Sequence, residues 1–139
     1  MIIHNGDLTL VDSLLADGLS GGDYGLNGNG ITSDFAANNS EHNTYLGSLL
    51  NNYYEGTPYY TSFDGQSAVN TDILIKYTYF GDANLDGKIN TSDVTVTDNS
   101  YNSGIPGWAS GDWNYDGLLN SSDVTLYDNA YNSWDGVDL

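Results

Sequence analysis

A 23-residue segment occurs twice in this chain of 139 residues, and this repeat constrains the fold more than any other feature. Residues 81–103 and 111–133 are identical at 15 of 23 positions, and residues 104–110 connect them. Two copies are too few to stack into a solenoid, which needs about three or more repeats. We therefore expect a pseudo-symmetric pair of units that share one hydrophobic core.

Each copy carries oxygen-bearing side chains at the spacing of an EF-hand calcium loop. Counted from Asp82 in loop 1 and from Asp112 in loop 2, they occupy positions 1, 3, 5, 9 and 12, with glycine at position 6. Ca²⁺ takes about six to eight oxygen ligands, position 7 supplies a backbone carbonyl, and the glycine allows the sharp turn. The predicted ligands are Asp82, Asn84, Asp86, Lys88, Asn90 and Asp93 in loop 1, and Asp112, Asn114, Asp116, Leu118, Asn120 and Asp123 in loop 2. We therefore expect two Ca²⁺ ions, the alternative being a pair of Asp/Asn/Gly-rich turns that bind no metal.

The general loop pattern has Glu at position 12, but both loops here have Asp. The shorter side chain is expected to draw the following segment closer to the ion. Because Ile89 and Leu119 at position 8 are apolar, we also expect the two loops to pair there and to bury both side chains.

A helix is predicted after each loop, because apolar residues recur there at helical spacing. These residues, each set on one helix face, are Val94 and Tyr101 after loop 1, and Val124, Tyr127 and Tyr131 after loop 2. The first of these helices is rich in Thr, Asp, Asn and Ser, which are poor helix formers. We expect it to need metal and packing in order to form.

Residues 1–80 lack the repeat and predict a small mixed segment. Asp7 is placed to cap a short helix that ends near Gly18. Alternation of β-branched and aromatic residues over 73–80 predicts a strand that continues into the first loop without a linker. The predicted fold class is α+β, in which an N-terminal segment, 1–80, ends in a β-strand and packs on a C-terminal pair of loop–helix units, 81–139.

The charge of the chain excludes several function classes. Nineteen acidic residues stand against two basic ones, which gives a formal net charge of −17. Nucleic-acid binding needs a basic face, and a membrane span needs about 18 consecutive apolar residues, so we expect neither. The chain has no cysteine for a disulfide or a thiolate metal site. So many acidic groups repel one another in a compact chain, and a bound metal ion is the simplest compensation.

The two calcium loops that end in Asp, each followed by one helix, resemble type I dockerin modules over about residues 81–134. The resemblance implies that calcium folds the module, which then docks on a cohesin domain. The family often uses a Ser/Thr pair at loop positions 10 and 11 for recognition. Those positions hold Thr91, Ser92, Ser121 and Ser122. Cohesin-binding members tend to carry Lys or Arg further along each helix. This chain has Asp-Asn there in both repeats, at residues 98–99 and 128–129.

The resemblance implies a non-catalytic, calcium-dependent attachment module whose partner is a cohesin-like domain or another copy of this chain. Residues 1–80 and their junction with loop 1 look like the C-terminal region of large secreted bacterial surface proteins, which implies an extracellular or cell-surface location. Residues 1–4 lack the basic start and apolar core of a signal peptide. Composition leaves open whether the chain is intracellular, already processed, or a piece of a larger protein.

Two other function classes stay open. A carbohydrate-binding module, with a glycan as partner, would use an aromatic cluster that also fits ordinary core packing. The cluster comprises Tyr53, Tyr54, Tyr59, Tyr60 and Phe63. A C-terminal fragment of a secreted hydrolase is the other class, but the sequence has only two glutamates and no nucleophile, phosphate-loop or dinucleotide signature.

Two weaker features complete the sequence predictions. Residues 23–34 repeat part of the calcium-loop spacing but have Gly and Ile at positions 3 and 9, so we predict no third ion. Trp108, Trp113 and Trp134 flank the second repeat and are expected to form a hydrophobic clasp.

Overall fold

The computed structural model describes residues 1–19, 29–104 and 106–139 and has an α+β fold. The elements in chain order are β1 (Ile2–Ile3), α1 (Leu8–Leu19), α2 (Asp34–Ala37), β2 (Thr44–Leu50), β3 (Ser62–Phe63), β4 (Gln66–Ser67), β5 (Ile73–Tyr79), α3 (Thr91–Ser103), a 3₁₀ turn (Trp108–Ser110) and α4 (Ser121–Ser133). No helix in the described ranges is long and apolar enough to cross a membrane.

Two seven-residue strands, β2 and β5, form the centre of the sheet. They pair antiparallel from Thr44 opposite Tyr79 to Leu50 opposite Ile73, and β1 joins the other edge of β5. Strands β3 and β4 form a separate two-stranded hairpin. The strand predicted over 73–80 is confirmed to within one residue.

Helix α1 begins as its capping residue predicts. The Asp7 carboxylate accepts hydrogen bonds from the backbone N–H of Thr9 at 3.0 Å and of Leu10 at 3.3 Å. Val11 and Leu15 are buried, and the Tyr45 hydroxyl of β2 donates to the Leu15 carbonyl at 3.0 Å. The helix therefore packs on the sheet through the side of the helix that carries Val11 and Leu15.

One hydrophobic core runs through both parts of the chain, and Trp108 lies fully buried in it. Its ring packs on Phe80, Trp113 and Tyr115, with ring centroids 5.1–5.7 Å apart. Its indole N–H donates to the Asp82 carbonyl at 2.7 Å. The predicted clasp is therefore correct for Trp108 and Trp113.

The third tryptophan lies outside this cluster. Trp134 is only partly buried, and its indole N–H donates to the Val137 carbonyl at 3.1 Å. It follows the end of α4, contacts the C-terminal segment and packs against the edge of the core, so it joins the predicted clasp only at its periphery.

Helices α3 and α4 form where the spacing predicts them, but the predicted apolar face is not their buried face. The exposed side chains on that face are Val94, Tyr101, Val124 and Tyr131. Instead α3 buries Val96, which lies about 200° around the helix from Val94, and α4 buries Ala130. The reason is tertiary: α3 packs against the 3₁₀ turn, and that contact selects the face.

The expectation that the two loops pair at position 8 is also wrong. Ile89 is buried, but Leu119 is 40% exposed. No strand pairing joins the two loops within the described ranges. Loop 1 is covered by other parts of the chain, whereas the corresponding side of loop 2 faces solvent, so the two position-8 side chains have different surroundings.

Gly47 is a position where the core tolerates no side chain. A Cβ there would lie 2.6 Å from the Trp108 ring and 2.7 Å from the Leu85 side chain. Gly47→Ala is therefore expected to lower the free energy of unfolding by about 1–3 kcal/mol through overpacking. Chemical denaturation followed by tryptophan fluorescence measures the change.

Gly65→Asn is the matched control for this substitution. Gly65 has a φ of 77°, which Asn tolerates better than most residues, and a Cβ there meets nothing within 4 Å. We expect a change below about 1 kcal/mol. Equal stability of Gly47→Ala and the wild type would contradict the packing of Trp108 on β2.

Candidate metal centre

The aspartate at position 12 ties the start of each loop to the start of the following helix. In loop 1, Asp93 Oδ1 accepts from the backbone N–H of Ala83 at 2.9 Å and of Asn84 at 3.3 Å. Its Oδ2 accepts from the backbone N–H of Asn90 at 2.8 Å. Asp123 repeats all three bonds in loop 2, at 2.9, 3.4 and 3.1 Å.

Position 9 begins the helix. The Asn90 side chain accepts from the Ser92 backbone N–H at 2.9 Å, and together with Asp93 it forms a capping box. Asn120 and Asp123 form the same box at the start of α4. The two asparagines therefore serve as helix caps, and loop and helix are locally one unit.

The aspartate at position 1 accepts hydrogen bonds from positions 5 and 6. Asp82 Oδ1 accepts from the Asp86 backbone N–H at 3.1 Å, and Oδ2 accepts from Gly87 at 2.8 Å. Asp112 makes the equivalent bonds in loop 2, both at 3.0 Å. The position-6 glycines, Gly87 and Gly117, have φ values of 89° and 81°. They adopt the left-handed conformation that the sharp turn requires.

Positions 3 and 5 point toward the same loop interior. In loop 1 the Asn84 side-chain amide donates to Asp86 Oδ2 at 3.2 Å, and Asp86 Oδ1 accepts from the Lys88 backbone N–H at 3.0 Å. In loop 2 the Asn114 amide donates to Asp116 Oδ2 at 3.0 Å, and Leu118 N–H donates to Asp116 Oδ1 at 2.8 Å. The side chains at positions 1, 3, 5 and 12 thus make equivalent hydrogen bonds in the two loops.

The carboxylates of loop 1 repel one another. The pKa of Asp82 is raised to about 7, chiefly by burial and in addition by the charges of Asp93 and Asp86. Hydrogen bonds from the Thr78 hydroxyl and the Gly87 N–H lower it in part. Burial likewise raises the pKa of Asp93. Loop 1 therefore concentrates negative charge, and the side chain of its one basic residue, Lys88, pairs with Asp138.

Loop 2 shows the same effect. Burial raises the pKa of Asp112, and repulsion from Asp123 and Asp116 adds to it. Hydrogen bonds from backbone N–H groups of the loop oppose the shift. A cation among these oxygens would relieve the repulsion in both loops.

Within the part of the chain that the structure describes, no three His, Cys, Asp or Glu side chains form a group that could hold a metal ion. The three aspartates predicted as ligands in each loop are therefore not gathered into such a group in this structure. Amide oxygens and a backbone carbonyl supply the other ligands of a calcium loop of the predicted type.

Loop 1 is more enclosed than loop 2. The C-terminal segment covers it: the Leu139 N–H donates to the Gly87 carbonyl at 3.1 Å, and Lys88 Nζ lies 3.2 Å from an Asp138 carboxylate oxygen. The Tyr60 hydroxyl donates to the Asn84 carbonyl at 2.7 Å. In loop 2, residues 116–120 are all exposed. Two loops of the same local geometry therefore differ in their access to solvent.

The four residues predicted to contact a partner lie exposed in the first turns of α3 and α4. At position 11, the Ser92 hydroxyl donates to the Asn90 amide oxygen at 2.7 Å, and Ser122 donates to Asn120 at 2.6 Å. Position 11 therefore supports the helix caps. Thr91 and Ser121, at position 10, present exposed side chains beside it.

Sequence reasoning missed a polar network that links loop 2 to the sheet and to α1. The hydroxyl of Tyr115, at position 4 of loop 2, donates to the Leu46 carbonyl at 2.9 Å and lies 3.2 Å from Ser48 Oγ. Ser48 donates in turn to Asp12 Oδ1 at 2.5 Å. The signal in the sequence is that Asp12 lies on the apolar stripe of α1, four residues after Leu8.

Asp12 is a carboxylate in an unfavourable environment. Burial raises its pKa to about 6, the hydrogen bond from Ser48 opposes that shift, and the charge of Asp112 adds to it. Burial also raises the pKa of the Tyr115 hydroxyl well above its ordinary value. The network therefore joins the two parts of the chain through groups that are taken out of water.

The predicted aromatic cluster divides into separate contacts. Phe63 is buried and packs on Tyr60, with ring centroids 5.5 Å apart. Tyr53 meets Tyr59 edge to face, at 5.2 Å and 80°. Tyr54 is exposed. The five rings therefore do not form one flat platform on which a sugar could stack.

The first half of the partial loop spacing, residues 23–28, lies outside the described residues. Its last residue, Asp34, begins α2, and the Ser33 hydroxyl accepts from the Ala36 N–H at 3.3 Å.

No family model matches the chain, and neither a curated protein nor a solved structure matches it significantly.

The raised pKa of Asp12 predicts how stability depends on pH. The pKa of Asp12 in the folded state, about 6, lies above the ordinary value of 3.8. The contribution of Asp12 to the free energy of unfolding is therefore fully present below about pH 4 and is lost as the pH rises through 6. Asp12→Asn keeps the size of the side chain and removes that loss. We compare the free energy of unfolding of the variant with that of the wild type. This difference is expected to be roughly 2 kcal/mol more favourable to the variant at about pH 7.5 than at about pH 4.

Thermal unfolding of both proteins at the two pH values measures this difference. Other titrating groups are common to both chains and cancel in the comparison. Asp17→Asn, an exposed position on the same helix, is the matched control and should show no such pH-dependent gain. A stability difference between Asp12→Asn and wild type that is the same at both pH values would contradict the assignment.

Proposed function

We propose that this chain is a non-catalytic, extracellular calcium-binding module that attaches to a protein partner when calcium is bound. The observation that carries the proposal is the equivalence of the two loops. In each, the aspartates at positions 1 and 12 make the same backbone hydrogen bonds, which hold both carboxylates at the loop interior. The two segments are identical at 15 of 23 positions, so their shared geometry follows from shared sequence. It supports the proposal because it directs acidic oxygens toward the interior of both loops.

The donor set of each loop fits a hard divalent cation. In loop 1, Asp82, Asp86 and Asp93 would supply carboxylate oxygens, Asn84 an amide oxygen and Lys88 its backbone carbonyl. The corresponding residues of loop 2 are Asp112, Asp116, Asp123, Asn114 and Leu118. Calcium would supply two positive charges per loop and so offset the burial and the mutual repulsion that raise the carboxyl pKa values. Asn90 and Asn120 would act as helix caps, with any role toward the ion carried by water.

The proposed arrangement of residues 81–139 is dockerin-like: two loop–helix units related by pseudo-symmetry. Its partner surface would be the exposed face of α3 and α4. There Thr91 and Ser121 lie next to exposed Val94 and Val124. Exposed apolar side chains at matching positions of both helices support an interaction surface. The partner would be a cohesin-like domain or a second copy of this chain.

An extracellular location is consistent with the calcium requirement. Extracellular modules bind calcium with dissociation constants of about 10⁻⁴–10⁻³ M, so even weak loops are filled outside the cell. Filling both loops would order the cap of each helix, and with it the exposed face that the partner contacts.

Asp82→Asn combined with Asp112→Asn tests calcium binding. The double variant removes one negative charge from each loop and keeps only one of the two acceptor oxygens that each aspartate presents to the loop backbone. Its stability is therefore compared with its own value in chelator. Calcium at 100 times its dissociation constant is expected to stabilise the wild type by about 3 kcal/mol per filled site, and the double variant should lose most of this gain. Thermal unfolding in calcium and in excess chelator measures the difference.

Asp98→Asn combined with Asp128→Asn is the matched control. These exposed aspartates occupy equivalent positions of α3 and α4, so the control makes the same change in net charge outside the loops. It should keep the full stabilisation by calcium. Full stabilisation of the loop variant as well would overturn the proposed sites.

Light scattering of the purified chain then distinguishes the two partner classes. Particles that form in millimolar calcium and dissolve in chelator would identify a second copy as the partner. Val94→Asp with Val124→Asp should abolish such particles while calcium still stabilises the fold, because only the exposed face is changed. A chain that is monomeric in both conditions would identify a different protein as the partner.

A further inference from the structure

A cleft of about 280 Å³ lies where the two parts of the chain meet. Its walls come from α1, β2, the C-terminal half of α3 and the 3₁₀ turn. The lining residues that matter here are Asp12, Ser48, Tyr53, Tyr59, Ser103 and Trp108. None of the predicted calcium ligands lines it, so this cleft is separate from both loops.

The polar part of the cleft is negative. Asp12 contributes a carboxylate whose Oδ1 accepts from Ser48. Helix α3 ends beside it, with Ser100 and Ser103 in the wall, and its last turn contains no basic residue. The C-terminal end of a helix carries a partial negative charge, which favours a cation nearby.

The chain supplies no cation of its own to this cleft. Its two lysines are engaged elsewhere: Lys88 pairs with Asp138 at 3.2 Å, and Lys76 donates to the Leu85 carbonyl at 3.3 Å. No basic residue lines the walls among residues 1–19, 29–104 and 106–139. A buried carboxylate without a positive neighbour costs stability, and a bound cation would offset that cost.

The remaining walls favour an organic cation over a metal ion. Tyr53 and Tyr59 meet edge to face at 5.2 Å beside Trp108, and aromatic faces attract ammonium and guanidinium groups. A hard metal ion needs about six oxygen ligands, whereas Asp12 is the one carboxylate that the described residues place in the wall. Carboxylate and aromatic rings together form the chemistry that recognises an alkyl ammonium or guanidinium group.

We propose that this cleft binds an organic cation of the ammonium or guanidinium class, with the Asp12 carboxylate as its hydrogen-bonding counter-charge and Tyr53 and Tyr59 as its aromatic wall. The volume suits one lysine or arginine side chain, or a small free amine. None of its residues belongs to a loop ligand set, but the charge of Asp112 in loop 2 acts on Asp12, so the state of loop 2 is held constant in the test.

Calorimetric titration with N-acetyl-arginine amide tests the proposal. N-acetyl-citrulline amide, which has nearly the same shape without the charge, is the matched probe. The titration is carried out in millimolar calcium, so that the state of the loops is the same throughout. We expect the arginine probe to bind and the citrulline probe to bind at least about tenfold more weakly.

Asp12→Asn should weaken binding of the arginine probe about tenfold, whereas the exposed control Asp17→Asn, with the same net charge, should bind like the wild type. Tyr53→Leu should weaken it about threefold through loss of an aromatic face. Thermal unfolding confirms that each variant is folded. Equal affinity for the two probes, or equal affinity of Asp12→Asn and Asp17→Asn, would overturn the proposal.

Putrescine distinguishes the source of the cation. Tighter binding of putrescine than of the arginine probe would identify a free amine as the ligand. Tighter binding of the arginine probe would identify a side chain presented by a protein partner. Either result supports the cleft as a cation site, and absence of binding by both probes would contradict it.

Discussion

The fold of the repeats depends on the aspartate that closes each loop. Asp93 and Asp123 each accept backbone hydrogen bonds from the start of the loop and from the first residue of the helix cap. One side chain thereby fixes both ends of a twelve-residue turn and begins the helix that follows. The same oxygens lie among other carboxylates, so the geometry that orders the loop also concentrates negative charge there. We propose that calcium resolves this conflict between hydrogen bonding and repulsion.

A second constraint joins the repeats to the residues that precede them. Trp108 fills the centre of the core and can do so because Gly47 leaves β2 without a side chain at that point. Tyr115 of loop 2 bonds to the same strand, and through Ser48 the connection reaches Asp12 of α1. Loop 2 is therefore attached to the sheet through Tyr115, whereas its residues 116–120 are exposed to solvent. Loop 1, in contrast, is covered by the C-terminal segment and by Tyr60.

The sequence predicts well the features that are determined locally. The glycine turns, the capped start of α1, the strand of residues 73–79 and the two late helices all follow from short-range rules. The choice of helix face does not, because packing of α3 on the 3₁₀ turn selects Val96 over Val94. The Asp12–Ser48–Tyr115 network was missed for the same reason, since its hydrogen bonds join residues 36 and 67 positions apart. Such contacts are decided by tertiary structure, which a repeat or a periodicity does not encode.

The most direct measurement of the central claim is the number of calcium ions bound by the wild-type chain at equilibrium. Calcium-free protein titrated with Ca²⁺ in a calorimeter gives that number, and titration with Mg²⁺ shows the selectivity. Two loops of equivalent geometry but different enclosure predict two Ca²⁺ per chain, bound with unequal affinities. Absence of binding at millimolar calcium would contradict the account, and would identify the repeats as turns held by their own hydrogen bonds.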